Sequence, residues 1–201
     1  VSFSAIVLDI EGSLAEIKYA LDILKADGVT LFTRYSKTNH YLGHQDFDPI
    51  WEELNRRSAV VFIHPAHPVD TNRVNPKILQ PIIHYPHETT RTVLDLLSTR
   101  SRSRYPNCKV ILSHAGGTLP WIFPRVTLWR RGLSAQQTPD GITYDNMMSD
   151  FRSFYFDLAL STSHESLDLL LKTVEHYHIL YGKARFTSRV PCLWYRGWSL
   201  I

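Results

Sequence analysis

The sequence predicts an α/β fold built on a parallel sheet, and three observations predict it. Strand-like and helix-like segments alternate along the chain, with no internal repeat and no linker. The strand-like segments are short and almost continuously apolar, as strands covered on both faces are. At 201 residues, with 44% hydrophobic and 20% charged residues, the chain is long enough for one domain with a real core.

Residues 2–8 (SFSAIVL) read as the first strand. Leu14, Ile17, Leu21 and Leu24 then recur at helical spacing, so residues 14–25 read as an amphipathic helix, with Gly28 just past its end. Residues 29–33 (VTLFT) are β-branched and aromatic, hence a second strand. Asp48-Pro49 reads as an N-cap followed by proline in the first turn of a helix that runs to about Arg57, with Glu52 and Glu53 favoured near its start. Residues 59–63 (AVVFI) form a buried-type strand that ends at His64-Pro65. A proline-rich loop is expected from Pro65 to Pro86, then a helix over 89–99. Residues 109–112 (KVIL) are the next strand, ending at Ser113-His114-Ala115-Gly116-Gly117, and a helix follows around 121–131. The polar stretch 136–150 reads as an insertion loop, 153–160 as a strand, and Ser163 as the cap of a helix over 165–177. Residues 178–181 (HILY) close the set of six strands.

Two architectures fit this order: an open doubly wound sheet and part of a (β/α) barrel. No Gly-x-Gly-x-x-Gly follows the first strand, so the dinucleotide-binding form of the open sheet lacks its fingerprint.

Composition narrows the function. The formal charge is +3, but residues 183–201 hold Lys183, Arg185, Arg189 and Arg196 and no acid. The basicity belongs to that tail, so no nucleic-acid partner is expected. No apolar run approaches the roughly 18 residues of a membrane span, and no basic-then-apolar leader opens the sequence, so no membrane partner is expected either. Cys108 and Cys192 are the only cysteines and form neither a disulfide framework nor a Cys-x-x-Cys site, which makes a reducing, cytoplasmic location the default. The chain starts on Val1 rather than Met, and is expected to be part of a longer product.

Ten histidines are the unusual count. His64 and His114 each end a strand, and in a parallel barrel all strand C-termini open on one face, where the active site lies. Neutral imidazole is both a common metal ligand and an acid/base suited to neutral pH. Gly116-Gly117 permits a sharp turn and a close approach to a ligand. Arg125, on the following helix, has a planar fork that suits a carboxylate. Asp157 is an acid inside an apolar strand and calls for a metal, a histidine or a backbone partner. His40, His44, His67, His84, His87, His164, His176 and His178 are read as surface or packing residues. No Gly-x-Ser-x-Gly elbow and no phosphate loop occurs.

Several segments together resemble one family: 61–65 (VFIHP), 88–91 (ETTR), 109–117 (KVILSHAGG) with Leu119-Pro120 and Arg125, and 154–159 (FYFDLA). It is the amidohydrolase-related (amidohydrolase 2) family, which includes aminocarboxymuconate-semialdehyde and γ-resorcylate decarboxylases. Segments 41–43 (YLG), 47–50 (FDPI) and 53–57 (ELNRR) look most like its fungal 6-methylsalicylate decarboxylase branch.

The resemblance implies a metal-dependent (β/α)8 TIM-type barrel that removes CO2 from a small aromatic carboxylate without redox chemistry. It implies His64 as a metal ligand, His114 as the proton-handling catalytic residue, Arg125 as the substrate-carboxylate holder, zinc or manganese as the ion, and a homodimer. The family's opening His-x-His strand has no match here. Its Leu-Tyr-Gly-Ser-Asp end, whose Asp is a further ligand, matches only through Leu180-Tyr181-Gly182. The expectation is therefore a partial barrel domain over 1–182, lacking the first strand or strands and the usual C-terminal end. Residues 183–201 are expected to be a divergent tail of gene-model origin. The chain by itself is then expected to bind metal poorly and to be weakly active or inactive. Two other readings share these residues: a hydrolase of a cyclic ester or amide, and a non-catalytic truncated paralogue that pairs with intact subunits.

Overall fold

The computed structural model describes residues 2–4, 9–35 and 40–182. Six strands form one sheet: β1 (Ser2–Ser4), β2 (Gly28–Phe32), β5 (Val60–His64), β6 (Lys109–Leu112), β7 (Tyr155–Asp157) and β8 (Ile179–Leu180), in that order and parallel throughout. These are the six strands the sequence predicts: β6 keeps its bounds, β2 and β5 are displaced by one residue, and β7 and β8 are shorter. A separate antiparallel pair joins β3 (Arg34–Tyr35) to β4 (His40–Tyr41). Of the expected first strand, residues 5–8 lie outside the described residues, as does the whole tail 183–201.

Alternation along the strands sorts residues to two unlike faces. Val29, Leu31, Val61, Ile63, Val110, Leu112 and Phe156 are fully buried beneath the helices. Their neighbours Thr30, Phe62, Ile111 and Tyr155, on the opposite face, are only half-buried. Burying such an aliphatic or aromatic side chain is worth roughly 1.5–3 kcal/mol, so the helix-covered face dominates stability.

The helices supply that cover. α1 (Ile10–Lys18) starts at Asp9, whose carboxylate accepts from the Gly12 N–H at 3.1 Å, and it continues as a π-helical turn over Tyr19–Ile23. α2 (Asp48–Arg56) buries Ile50, Trp51 and Leu54. Asp48 does not cap it as predicted. Phe47 holds the cap position, Asp48 is the first helical residue, and its carboxylate pairs with Arg104 instead.

α3 (Gln80–Ser98) begins nine residues before the predicted start, because Pro81 sits in its first turn and Pro86 is tolerated inside it. The Thr90 hydroxyl donates to the Pro86 carbonyl at 2.8 Å. A single turn, α4 (Ser101–Arg104), precedes β6, and α5 (Leu119–Leu128) follows it.

The expected insertion loop at 136–150 is corrected: its second half enters α6 (Tyr144–Arg152). Thr143 and Asn146 form a capping box, and Met147 and Phe151 reach the core. Ser163 caps α7 (His164–Leu171) as expected, accepting from the Ser166 N–H. The helix stops six residues short of the predicted end, and the Thr173 hydroxyl donates to the Leu169 and Leu170 carbonyls there. Among the described residues no helix is long and apolar enough to cross a membrane.

Candidate active site

His64 and His114 come from adjacent strands. The Ser113 N–H donates to the Ile63 carbonyl at 3.3 Å, which sets the two strand ends side by side. The imidazole centroids lie 6.1 Å apart with the rings inclined at 64°. Immediately after β6 the chain turns through four consecutive residues of positive φ: His114 (54°), Ala115 (54°), Gly116 (78°) and Gly117 (68°). The left-handed region costs a residue with a Cβ roughly 1–2 kcal/mol. Such strain collects where a side chain must be aimed at a site.

The two glycines are required, though not for approach to a ligand as the sequence suggested. A Cβ on Gly116 would sit 3.0 Å from the Phe156 ring, and one on Gly117 would sit 2.2 Å from the Pro86 carbonyl oxygen. Their role is to let the His114 turn pack against β7 and α3.

The His64 ring is oriented by its neighbours. Nδ1 lies 3.0 Å from the Pro65 carbonyl, which can only accept, so Nδ1 carries the proton and Nε2 keeps its lone pair. That is the arrangement of a metal-ligating histidine whose other nitrogen is held by a carbonyl. Phe32, Phe62 and Tyr85 ring it with centroids at 6.4, 6.2 and 6.0 Å. Burial lowers the His64 pKa. Burial, and then the nearby His64, push His114 down to about 4, so both rings are neutral at pH 7. His114 Nδ1 is buried and has no hydrogen-bond partner among the described residues. An unpaired buried nitrogen at a strained turn marks a place for something to bind.

Asp157, at the end of β7, has two of the partner types its sequence context called for. Its carboxylate accepts from the Ala159 N–H at 3.0 Å and shares an electrostatic field with His64. Burial raises its pKa against both. Gly182 packs so tightly against it that a Cβ there would fall 1.5 Å from Oδ1. A groove of about 360 Å3 runs along the half-buried sheet face from Gly28 and Val60, past Phe62 and Ile111, up to Asp157. One imidazole with a free Nε2 and a second with an unpaired nitrogen are donors of the kind a divalent ion takes, but with Asp157 they do not close into a three-ligand cluster: among the described residues the one group of three gathered tightly enough is His40, His44 and Asp46.

Arg125 is not gathered with these groups. It lies exposed on α5, and no hydrogen bond or ion pair joins it to either histidine among the described residues. Trp121 and Leu128 on its helix and Trp129 at the helix C-cap are 78%, 64% and 49% exposed.

Sequence reasoning missed the support around His64. The Arg34 guanidinium pairs with Glu88 at 3.4 Å, both nearly fully buried, and also donates to the His67 carbonyl. His67 packs on Tyr85 at 5.7 Å. Only Pro81, as a helix-start signal, could have put Tyr85 on a helix; nothing local ties Arg34 to Glu88.

The amidohydrolase family model matches residues 1–182, and these contain the whole site. The chain belongs to the amidohydrolase family. It is 47% identical over 176 residues to a 6-methylsalicylic acid decarboxylase of Penicillium expansum, covering 88% of this chain and 53% of that one. The crystal structure of a 2,6-dihydroxybenzoate decarboxylase from Rhizobium superposes with a TM-score of 0.76 at 18% identity, over 90% of this chain and 58% of that one. A dihydroxybenzoic acid decarboxylase from Polaromonas, solved with manganese and 2-nitroresorcinol, superposes with a TM-score of 0.72 at 20% identity, over 87% and 55%. The chain spans about half the length of these relatives, and its six-stranded sheet is part of their (β/α) barrel.

Proposed function

We propose that the protein to which this chain belongs is a metal-dependent decarboxylase of a small aromatic carboxylic acid of the 6-methylsalicylate type. The observation that carries the proposal is the convergence of His64, with a free Nε2, and His114, with an unpaired buried nitrogen, at the C-terminal ends of neighbouring parallel strands. His64 would hold a divalent ion, zinc or manganese. Such an ion, when bound, supplies positive charge that fixes the substrate's oxygens and steadies charge passing into the ring.

His114 handles the proton. An anionic substrate beside it raises its pKa from about 4, and the charged imidazole then donates to the ring carbon that bears the carboxylate. The bond from that carbon to the carboxylate breaks, its electron pair restores the aromatic ring, CO2 leaves, and solvent returns the proton to His114. Phe32, Phe62 and Tyr85 exclude water and offer flat surfaces to an aromatic substrate.

Arg125 fits the role of carboxylate holder only across an interface. Its exposure beside Trp121, Leu128 and Trp129 supports a homodimer in which this helix faces the partner. Three protein ligands are typical of a catalytic metal site, and His64 is the one matched ligand here, so we assign weak activity to the 201-residue chain alone. The cytosol is the compartment we assign. Cys108 is buried and unpaired, as is common for a protein kept reduced.

The test is decarboxylation of 6-methylsalicylate by the full-length protein and its His114→Ala variant, with CO2 release measured. A loss of kcat of roughly 100- to 10,000-fold with metal retained is expected. Unchanged turnover would remove His114 from the chemistry. Turnover of lactones but not of aromatic acids would favour the hydrolase reading.

A further inference from the structure

Away from the strand-end site, a second group of potential ligands forms at the β4 turn. His40 opens β4, His44 lies just past the strand, and Asp46 follows in a 3-10 turn over Gln45–Phe47. The two imidazoles stack with centroids 4.2 Å apart and planes 26° from parallel. One ligand atom from each of the three residues lies within 4.8 Å of the other two. His44 Nδ1 lies 3.4 Å from Asp46 Oδ2 and accepts from the Asp46 N–H at 3.3 Å, a bond that leaves Nε2 as the outward-facing ligand atom of this ring. Ligand atoms around a tetrahedral zinc, with bonds of about 2.0–2.2 Å, are spaced by roughly 3.4 Å.

The backbone beneath them is firmly held. The His44 N–H donates to the Tyr41 carbonyl at 3.0 Å, and the Gly43 N–H to the Asp95 carboxylate at 2.7 Å. The Trp51 indole donates to the Leu42 carbonyl at 2.7 Å. Tyr41 is buried, and its hydroxyl bonds Glu88 at 3.2 Å. No Cβ would fit on Gly43, because Asp95 Oδ2 would lie 2.6 Å away. A turn pinned at four points presents its side chains at small entropic cost, while the His44 and Asp46 side chains are exposed enough to adjust by the remaining ångström.

We infer that His40, His44 and Asp46 form a divalent transition-metal site, suited to zinc, that is separate from the site of His64 and His114. Two imidazoles with one carboxylate select zinc, copper or nickel over magnesium or calcium, which want oxygen ligands. Binding splays the stacked rings apart about the ion, with solvent filling the remaining position. The site clips the β4 turn to the start of α2, so its role is to stiffen that connection.

The test is zinc chloride titrated into the 201-residue chain carrying His64→Ala, with bound zinc counted by equilibrium dialysis and elemental analysis. One zinc per chain is expected to remain. Adding His40→Ala or His44→Ala is expected to weaken binding at least tenfold, and Asp46→Asn at least threefold. Asp46 is exposed, so that last variant separates lost ligation from lost folding; circular dichroism checks all of them. Absence of zinc from the His64→Ala chain, or zinc binding indifferent to His44→Ala and Asp46→Asn, would overturn the site. Failure of the decarboxylase reading would leave this result untouched, because no aromatic acid enters the assay.

Discussion

The two histidine pairs of this chain are made in opposite ways. His40 and His44 meet because a short local turn brings them together, and they meet as a half-buried stacked pair beside the exposed carboxylate of Asp46. His64 and His114 are far apart in sequence and meet because their strands lie in parallel register, half-buried, with rings inclined and one nitrogen unpaired. Burial is what separates their chemistry. In the strand-end pair it suppresses the charged form and leaves neutral rings ready for a ligand or a proton. In the turn pair, the partly exposed His44 side chain and the exposed Asp46 carboxylate have room to move about an ion.

The pairs are joined by Glu88. It accepts from Tyr41, next to His40, and pairs with Arg34, which holds the His67 carbonyl beside His64. Glu88→Ala is expected to cost about 3–5 kcal/mol, because it breaks a buried ion pair by removing one partner. Denaturant unfolding measures this, and both zinc binding at the turn and catalysis at the strand ends should suffer together. A loss at one pair only would show that the two are not mechanically joined.

A change at Gly117 should reach only the strand ends. Its φ of +68° and the Pro86 carbonyl 2.2 Å from a would-be Cβ lead us to expect Gly117→Ala to cost about 2–3 kcal/mol. It should also displace His114, whose carbonyl accepts from the Gly117 N–H at 2.9 Å. Thermal unfolding and turnover of the full-length protein check this, with zinc binding by His40 and His44 expected to hold.

The smallest effect separates the pairs by pH. His114 is held near 4 in the folded chain, against about 6.5 when unfolded. Between those values the unfolded state takes up a proton that the folded state refuses. Stability is therefore full above pH 6.5 and falls as the pH drops towards 4. Because His114 is part-exposed, solvent screening limits the loss to about 1–2 kcal/mol. In His114→Gln that share of the slope should vanish from urea midpoints taken between pH 7 and pH 4.5. An unchanged slope would show that His114 is not desolvated.

Much of the fold was legible because local rules wrote it. Runs such as 59–63 and 109–112 could be little but strands, and Ser163 marked the start of α7. The misreadings came from cues that tertiary packing outweighs. Pro81 and Pro86 suggested a loop where Thr89, Val93, Leu96 and Leu97 bury a helix. The polarity around 140 hid α6, although the Thr143–Asn146 capping box was there to be read. Asp48 resembled a cap, but a distant arginine claimed its carboxylate. At the site, His64 and His114 were legible because strand ends are legible. The pairing of Arg34 with Glu88 was not, since nothing in either residue's surroundings specifies the other.

The sequence by itself determined where the six strands run to within a few residues, that Ser163 caps α7, and that a parallel α/β sheet would place His64 and His114 on one rim. Local hydrogen bonding and the periodicity of burial act over a few residues, so they can be read from a few residues. Only the tertiary structure decided which of the ten histidines would be desolvated, that Arg125 would face outward, and that His40, His44 and Asp46 would share a corner. Those outcomes depend on strand register and on which surfaces cover one another. Both are settled by the whole core at once, as alternate residues are driven beneath the helices.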